Sequence, residues 1–571
     1  MGSRLKDVLK PQLDALLSLL AMTLMDSHGA QVLLERVATA LREDGDPAEA
    51  TRLLELLLDV GVQSSQTLAT ASHQMGNALA AASRPKGDGA PTGQVGPERK
   101  PALLLLLRLV HATSRQLSTA LPSVRKGVVA ALCELACKSK DIELGKLAAQ
   151  ALSTCLLIPA VRERTFEMLV AKLTPQLEPL KAGPTQHCAL AVLAALVKRE
   201  PAALGDERHR LLRRLLKHAL PPPTEEAMAG VEAEDEPDLG DEAERPEPPA
   251  AHVRSRCTSQ LLTVELLANE ALSSASLLHR RRQSASPSST ALVLHREGEQ
   301  PQGEQPQGEE GEHRDDADGS QQSSAQTLAA EVLQRLVATL DAEGRVGAAA
   351  EAGKAERSAL RLAVAKALLK MGRASQLRVE ATIGGAGWGQ LAMCMDDPSE
   401  AVRAAFAKKV YAESLRPFLT DKRDTKLGAP APYLVTRRIG LPPQYMTLLG
   451  LCAIDPAKEH AKAARAMLVR LVTVWRSAAE ANKSSPNATH ALPEVQLPWL
   501  IHVLAHHPQW AEEEAQMDER AEAGQEDDEG TLPTAQKCLD FYINACLAGN
   551  AKAFDLLRAV CAEVRASDLT T

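Results

Sequence analysis

The chain has 571 residues, 45% hydrophobic and 24% charged, the balance of a folded protein too long for one small core. Aromatic residues make up only 2%, the first being Phe166, and a core built from Leu and Ala favours helix and excludes all-β and immunoglobulin-like folds. The net charge of −8 is unevenly placed: residues 221–250, 296–320 and 511–530 together hold 30 acids and 4 bases, leaving 43 acids and 61 bases elsewhere. The segments able to fold are therefore basic. That points to acidic partners such as nucleic acid, inositol phosphates or acidic protein segments, although a merely solubilising role for the acidic tracts explains the same split.

Residues 13–25 are apolar and follow Arg4, Lys6 and Lys10, but Asp7, Pro11 and Asp14 interrupt a signal-peptide pattern, and the spacing suits an amphipathic helix. Met1-Gly2 is followed by Lys6 where a myristoylation start would need Ser or Thr. Residues 1–82 thus read as an N-terminal helical segment, 83–101 as a flexible loop of Gly, Pro and Lys, and 102–220 as HEAT-like helical repeats. Within the last of these, Arg208, Arg210, Arg213, Arg214 and Lys217 make a basic helix whose charged face is either solvated or in contact with nucleic acid. Residues 221–252 form an acidic, Pro-rich insertion, 253–282 a helical segment, and 283–325 a linker with the repeated unit EQPQG that cannot assemble a core. Arg280-Arg281-Arg282 precedes Ser284, and Ser286 precedes Pro287, so either serine is a candidate phosphorylation site.

Residues 326–571 read as HEAT repeats carrying the acidic loop 511–530. In 358–370, Leu360, Leu362, Ala363, Val364, Ala367, Leu368 and Leu369 leave a thin polar strip, which predicts a helix buried on most sides. Asp397-Pro398-Ser399-Glu400-Ala401-Val402-Arg403 has the form of a HEAT turn. Asp397 is placed to cap the next helix, and Arg403 to reach an aspartate of a neighbouring unit and set the stacking register. In that helix Val402, Phe406 and Val410 face inward. Lys408 and Tyr411 then face out with Lys409 at the flank, and these three are the candidate partner-binding residues, suited to an acidic-amphipathic peptide. Three later stretches repeat the i, i+3, i+4, i+7 stripe: Tyr445, Leu448, Leu449 and Cys452; Leu497, Leu500, Ile501 and Leu504; Leu539, Tyr542, Ile543 and Cys546. HEAT units of roughly 40–47 residues allow about ten in the non-tract length, each burying its apolar face only by stacking. The fold class is all-α, a HEAT-repeat α-α superhelix (solenoid) with acidic disordered insertions.

Catalytic patterns are absent: there is no GxSxG, no Walker lysine followed by Ser or Thr, and no HExxH. The run Gly384–Gly389 has Gln390 where a dinucleotide fingerprint needs glycine, and reads as a loop between two helices. His502 and His506 have the spacing of a zinc pair without an evident third ligand, and Cys133 and Cys137 read as small buried residues, so no metal or cofactor is expected. Ten scattered cysteines without a CxxC pair suggest reduced thiols and an intracellular home, which makes the sequon at Asn487 idle. No apolar run reaches the roughly 18 residues of a membrane span. An enzyme would need polar residues converging in a pocket, and none can be named. Another helical scaffold, of the nuclear-transport or phosphatase type, would show more regular repeats.

The order and spacing of SALRLAVAKALLKM (358–371), LAMCMDDPSEAVRAAFAKKV (391–410), LPPQYMTLLGLCAIDPAK (441–458) and LPEVQLPWLIHVLAHHPQ (492–509) resemble the cohesin-associated family called precocious dissociation of sisters, number five. Residues 536–562 continue the likeness and 102–340 share it more loosely, while 1–90 do not align. The resemblance implies a nuclear, chromatin-associated HEAT scaffold without catalysis. Such a scaffold binds the kleisin subunit of cohesin, works with the releasing factor Wapl and with cohesin acetylation, and serves sister-chromatid cohesion and DNA repair. Members are typically much longer, and the first part of their solenoid and their C-terminal extension find no counterpart here.

Overall fold

A computed structural model describes residues 27–42, 45–63, 72–83, 98–117, 122–156, 159–177, 182–199, 208–222, 251–285, 316–374, 377, 379–418, 440–481, 489–507, 533–548, 550 and 552–568. The apolar stretch 13–25, most of the loop 83–101, the bulk of the three acidic tracts, Ser286 and Asn487 lie outside the described residues. Among the described residues the structure is helical with no β-strand, as a Leu- and Ala-rich, aromatic-poor chain dictates. No helix there is long and apolar enough to cross a membrane. The chain divides into two compact units, Met1–Leu212 with Ala250–Ser273, and Arg213–Pro249 with Ser274–Thr571.

The first unit stacks α1 (Ser27–Ala40), α2 (Pro47–Gln63), α3 (Ser72–Ser83), α4 (Lys100–Leu117), α5 (Pro122–Lys138), α6 (Ile142–Cys155), α7 (Pro159–Leu173) and α8 (Pro184–Arg199). Alternate helices touch: α1 packs on α3, α3 on α5 and α5 on α7, while α2 packs on α4, α4 on α6 and α6 on α8. Consecutive helices also pair, so the stack has two layers, the arrangement in which each hairpin buries its apolar stripe against its neighbours. The core is almost wholly Leu, Ala and Val, with Phe166 as its one large aromatic. Small residues let helices cross closely: a Cβ on Gly145 of α6 would lie 2.5 Å from the Cys188 sulfur of α8. Asp141 starts α6 by accepting the N–H groups of Glu143 and Leu144 at 2.9 and 3.1 Å, and it pairs with Lys100 at 2.6 Å.

After α9 (Arg208–Ala219) comes α10 (Ala251–Ala285), which continues the α8 layer. Ser255 O accepts from His187, Ser259 donates to Gln186, Asn269 donates to Ala194 O and Ser273 to Val197 O, all at 2.7–2.8 Å. The two chains advance together along these contacts, so α10 lies parallel to α8, as same-layer helices of successive hairpins must. Ser284 falls within α10.

The second unit contains α11 (Asp316–Asp341), α12 (Lys354–Met371), α13 (Val379–Ala392), α14 (Glu400–Leu415), a 3-10 segment Pro443–Ile454, α15 (Lys458–Ala481), α16 (Leu497–Ala505), α17 (Pro533–Leu547) and α18 (Lys552–Asp568). Here α12 packs on α14 and α14 on α15, while α11 packs on α13 and the 3-10 segment on α16 and α17. Phe406, Trp388, Tyr445 and Tyr542 are fully buried, each contributing about 1.5–3 kcal/mol of apolar burial. Trp388 meets Tyr445 and Trp499 edge-on, at ring separations of 4.8 and 5.4 Å.

Several local expectations are modified. The break expected over Gly384–Gly389 shrinks to Gly384 alone, which joins two helical stretches. The run lies inside α13, which breaks only at Gly384 (φ 67°, ψ −173°), a conformation that glycine alone adopts readily. Residues 443–454 wind as a 3-10 helix, and all eight from Tyr445 to Cys452 are buried, because neighbours enclose the segment on every side. In α16 Val503 takes the buried place foreseen for Ile501, and in α17 the buried stripe is Ala535, Cys538, Tyr542, Ala545 and Cys546 rather than one running through Leu539 and Ile543.

Candidate partner-binding surface

The layer α12–α14–α15 is held in register by an arginine–aspartate ladder. Arg361 on α12 grips Asp397 through two bonds, Nε to Oδ2 at 2.6 Å and Nη2 to Oδ1 at 3.0 Å. Arg403 on α14 grips Asp455 in the same way at 3.0 and 3.3 Å. Each aspartate also accepts the backbone N–H two residues on, from Ser399 and Ala457, both at 2.8 Å. Each arginine further donates to the carbonyl of the preceding turn, Glu343 and Asp397 respectively, both at 2.8 Å. Asp397 therefore braces its turn at Ser399 instead of accepting the free N–H groups inside α14, whose cap residue Ser399 makes no side-chain cap bond. Arg403 does reach an aspartate of the next hairpin, as its spacing from Asp397 suggested. The ladder stops where Ala461 stands six residues after Asp455.

These bonds fix charge states. Burial pushes the Asp455 carboxyl up, but the Arg403 bonds and the Ala457 N–H outweigh it, so its pKa falls below the usual carboxylate range. Glu413, buried on α14, behaves alike. Desolvation raises it, yet Lys409 at 2.7 Å, Arg373 at 3.1 Å and Arg416 at 3.4 Å together hold it low.

The three candidate residues lie around this node. Lys408 is exposed and Tyr411 half-buried on α14. Lys409 is tied to Glu413, which makes it a fixed flank of the patch more than a free cation. Burial, and then the charge of Lys409, lowers the pKa of Lys366, so α12 brings a second lysine close to the same spot. Over the layer, α12, α14 and α15 carry thirteen Lys or Arg against five acids. Lys354, Lys408, Lys458, Lys462, Arg465 and Arg470 are exposed. The opposite elements α13, 443–454 and α16 hold no Lys or Arg and one acid, Glu380. The surface can thus hold an extended acidic chain by many weak charge contacts.

No three His, Cys, Asp or Glu side chains converge as metal ligands among the described residues. His502 and His506 pack edge to face at 4.7 Å, and burial, then His506, lowers the pKa of His502. Cys133 is buried, its thiol pushed up to about 11, and Cys137 is half-buried with its pKa also raised by burial. The signal that reveals the ladder is the repeated Asp-Pro dipeptide at 397 and 455. Glu413 and Glu380 carried no such signal, because a lone glutamate in a helical pattern looks like any solvated charge.

The family model for the sister chromatid cohesion protein PDS5 matches residues 3–568, and so takes in residues 3–90, which show no likeness in their motifs. Sister chromatid cohesion protein PDS5 homolog B of Mus musculus is 26% identical over 219 residues, which is 38% of this chain and 13% of the relative. PDS5 homolog A of Homo sapiens is 29% identical over 180 residues, 31% of this chain and 11% of the relative. PDS5 homolog A-B of Xenopus laevis is 28% identical over 177 residues, 31% of this chain and 12% of the relative. The aligned stretches thus span little more than a tenth of each relative, whereas the family model spans nearly the whole chain. With a match of that extent, laid over stacked helical hairpins, the chain belongs to the sister chromatid cohesion protein PDS5 family.

Proposed function

We propose that the chain regulates sister chromatid cohesion by binding and not by catalysis, as a nuclear scaffold on the cohesin ring at chromatin. Its ligand is a segment of the kleisin subunit, laid across α12, α14 and α15 with Lys408 and Tyr411 at the contact and Lys409 at its edge. A Wapl-type releasing factor is the second partner. The surface charge of the α12–α14–α15 layer carries this reading: Arg361 and Arg403 are spent on the ladder, but six exposed bases (Lys354, Lys408, Lys458, Lys462, Arg465 and Arg470) stand against three exposed acids (Glu400, Glu459 and Glu480). Tyr411 adds a half-buried ring, the residue type enriched where interfaces anchor.

Capture of purified kleisin fragments by the intact chain tests it. Lys408→Glu combined with Tyr411→Ala should weaken capture about ten-fold or more while leaving helical content unchanged. Unchanged capture rejects the patch, and no capture of any kleisin fragment by the wild-type chain rejects the partner.

A further inference from the structure

A cleft of about 410 Å³ opens between α13 and α16, walled by Glu380, Gly384, Gly385, Trp388, Trp499 and His502. It gathers two of the four tryptophans of the chain. Trp499 is half-exposed, whereas Trp388 is 1% exposed and its indole N–H has no acceptor. Gly384 keeps its unusual backbone with open space around the position a Cβ would take. A Cβ on Gly385 would come within 3.0 Å of the His502 ring. Glycines in such places let a ligand approach the backbone closely.

The charge is as informative as the shape. Glu380 is the one formal charge on α13, α16 and the 3-10 segment between them, and the groups facing it are neutral: the Gln444 amide, which donates at 3.4 Å, and the buried Tyr445 hydroxyl. Burial, and then His506, lowers the pKa of His502, which favours the uncharged ring there. A carboxylate with no counter-cation among the described residues, beside two indoles, is the setting in which a planar cation gains from both Coulomb attraction and ring contact.

We propose that this cleft receives an arginine side chain carried on a partner peptide, its guanidinium against Trp499 and Glu380. The site lies on elements other than the basic layer and selects the opposite charge, so it stands or falls apart from the kleisin reading.

The test uses the intact chain and blocked Gly-Gly-Xaa-Gly-Gly peptides with arginine, citrulline, lysine or norleucine at the centre, followed by tryptophan fluorescence and saturation-transfer NMR. Arginine should bind, and citrulline, its uncharged near-isostere, should bind roughly two- to thirty-fold more weakly. Glu380→Gln should erase most of that difference, Trp499→Ala should abolish binding and Trp499→Phe should restore part of it, all with unchanged circular dichroism and melting. Equal binding of citrulline or norleucine, an unaltered arginine affinity in Glu380→Gln, or no binding of the arginine peptide at millimolar concentration would each overturn the proposal.

Discussion

Asp455 and Glu413 are carboxylates whose charge the fold needs. Their depressed pKa values mean that the stability they contribute is present above the unfolded-state values, about 3.9 for Asp and 4.3 for Glu, and is lost as pH falls through the lower folded values. Thermal melts should therefore show the full, pH-independent contribution of these two groups between pH 7 and 5 and its progressive loss below about pH 4. The acid limb should flatten in Asp455→Asn. Removing one partner of a buried pair leaves the other uncompensated, so Asp455→Asn and Arg403→Ala should each destabilise the second unit by about 3 kcal/mol in urea titrations. A change under half that size would show that the ladder adds register without stability. Lys409→Met should cost less, because its side chain is 35% exposed and Glu413 keeps Arg373 and Arg416.

Among the elements, α13 gives the sharpest contrast. Gly384→Ala places a Cβ at positive φ and should destabilise by about 1–3 kcal/mol. Gly389→Ala lies in ordinary helix with open space beside it and should stabilise by about 0.5–1 kcal/mol, and paired melts of the two variants check this. In the first unit Gly145→Ala drives a methyl into Cys188 and should cost about 1–3 kcal/mol. Elements with one apolar stripe and a polar turn, such as α12 and α14, were legible in the sequence because 3.6-residue spacing survives in the letters. The 443–454 segment was not, since twelve residues with eight buried in succession carry no face to betray their winding. The cleft between α13 and α16 was equally hidden. Its walls come from positions more than a hundred residues apart, and glycines mark a close approach only once the approaching ring is known.

For the molecule as a whole, the separation of charge observed in the sequence becomes spatial inside the second unit, with bases on α12, α14 and α15 and none on α13, 443–454 or α16. Deleting 511–530 shifts the formal charge from −8 to +1. The shortened chain should elute from heparin at higher salt than the full chain, and identical elution would show that the basic layer is closed to polyanions. Helical class followed from composition and hairpin stacking from apolar spacing and the turn at 397–403, whereas neither says anything of a partner, whose proposal leans on the family. The 3-10 winding has one more effect. At about 2.0 Å per residue, twelve residues reach some 6 Å farther than the same letters wound at 1.5 Å. That extra length delivers Asp455 to Arg403, so the rung works as a gauge. Any insertion, deletion or rewinding between Pro443 and Ile454 should be read out first as a parted salt bridge at the far end.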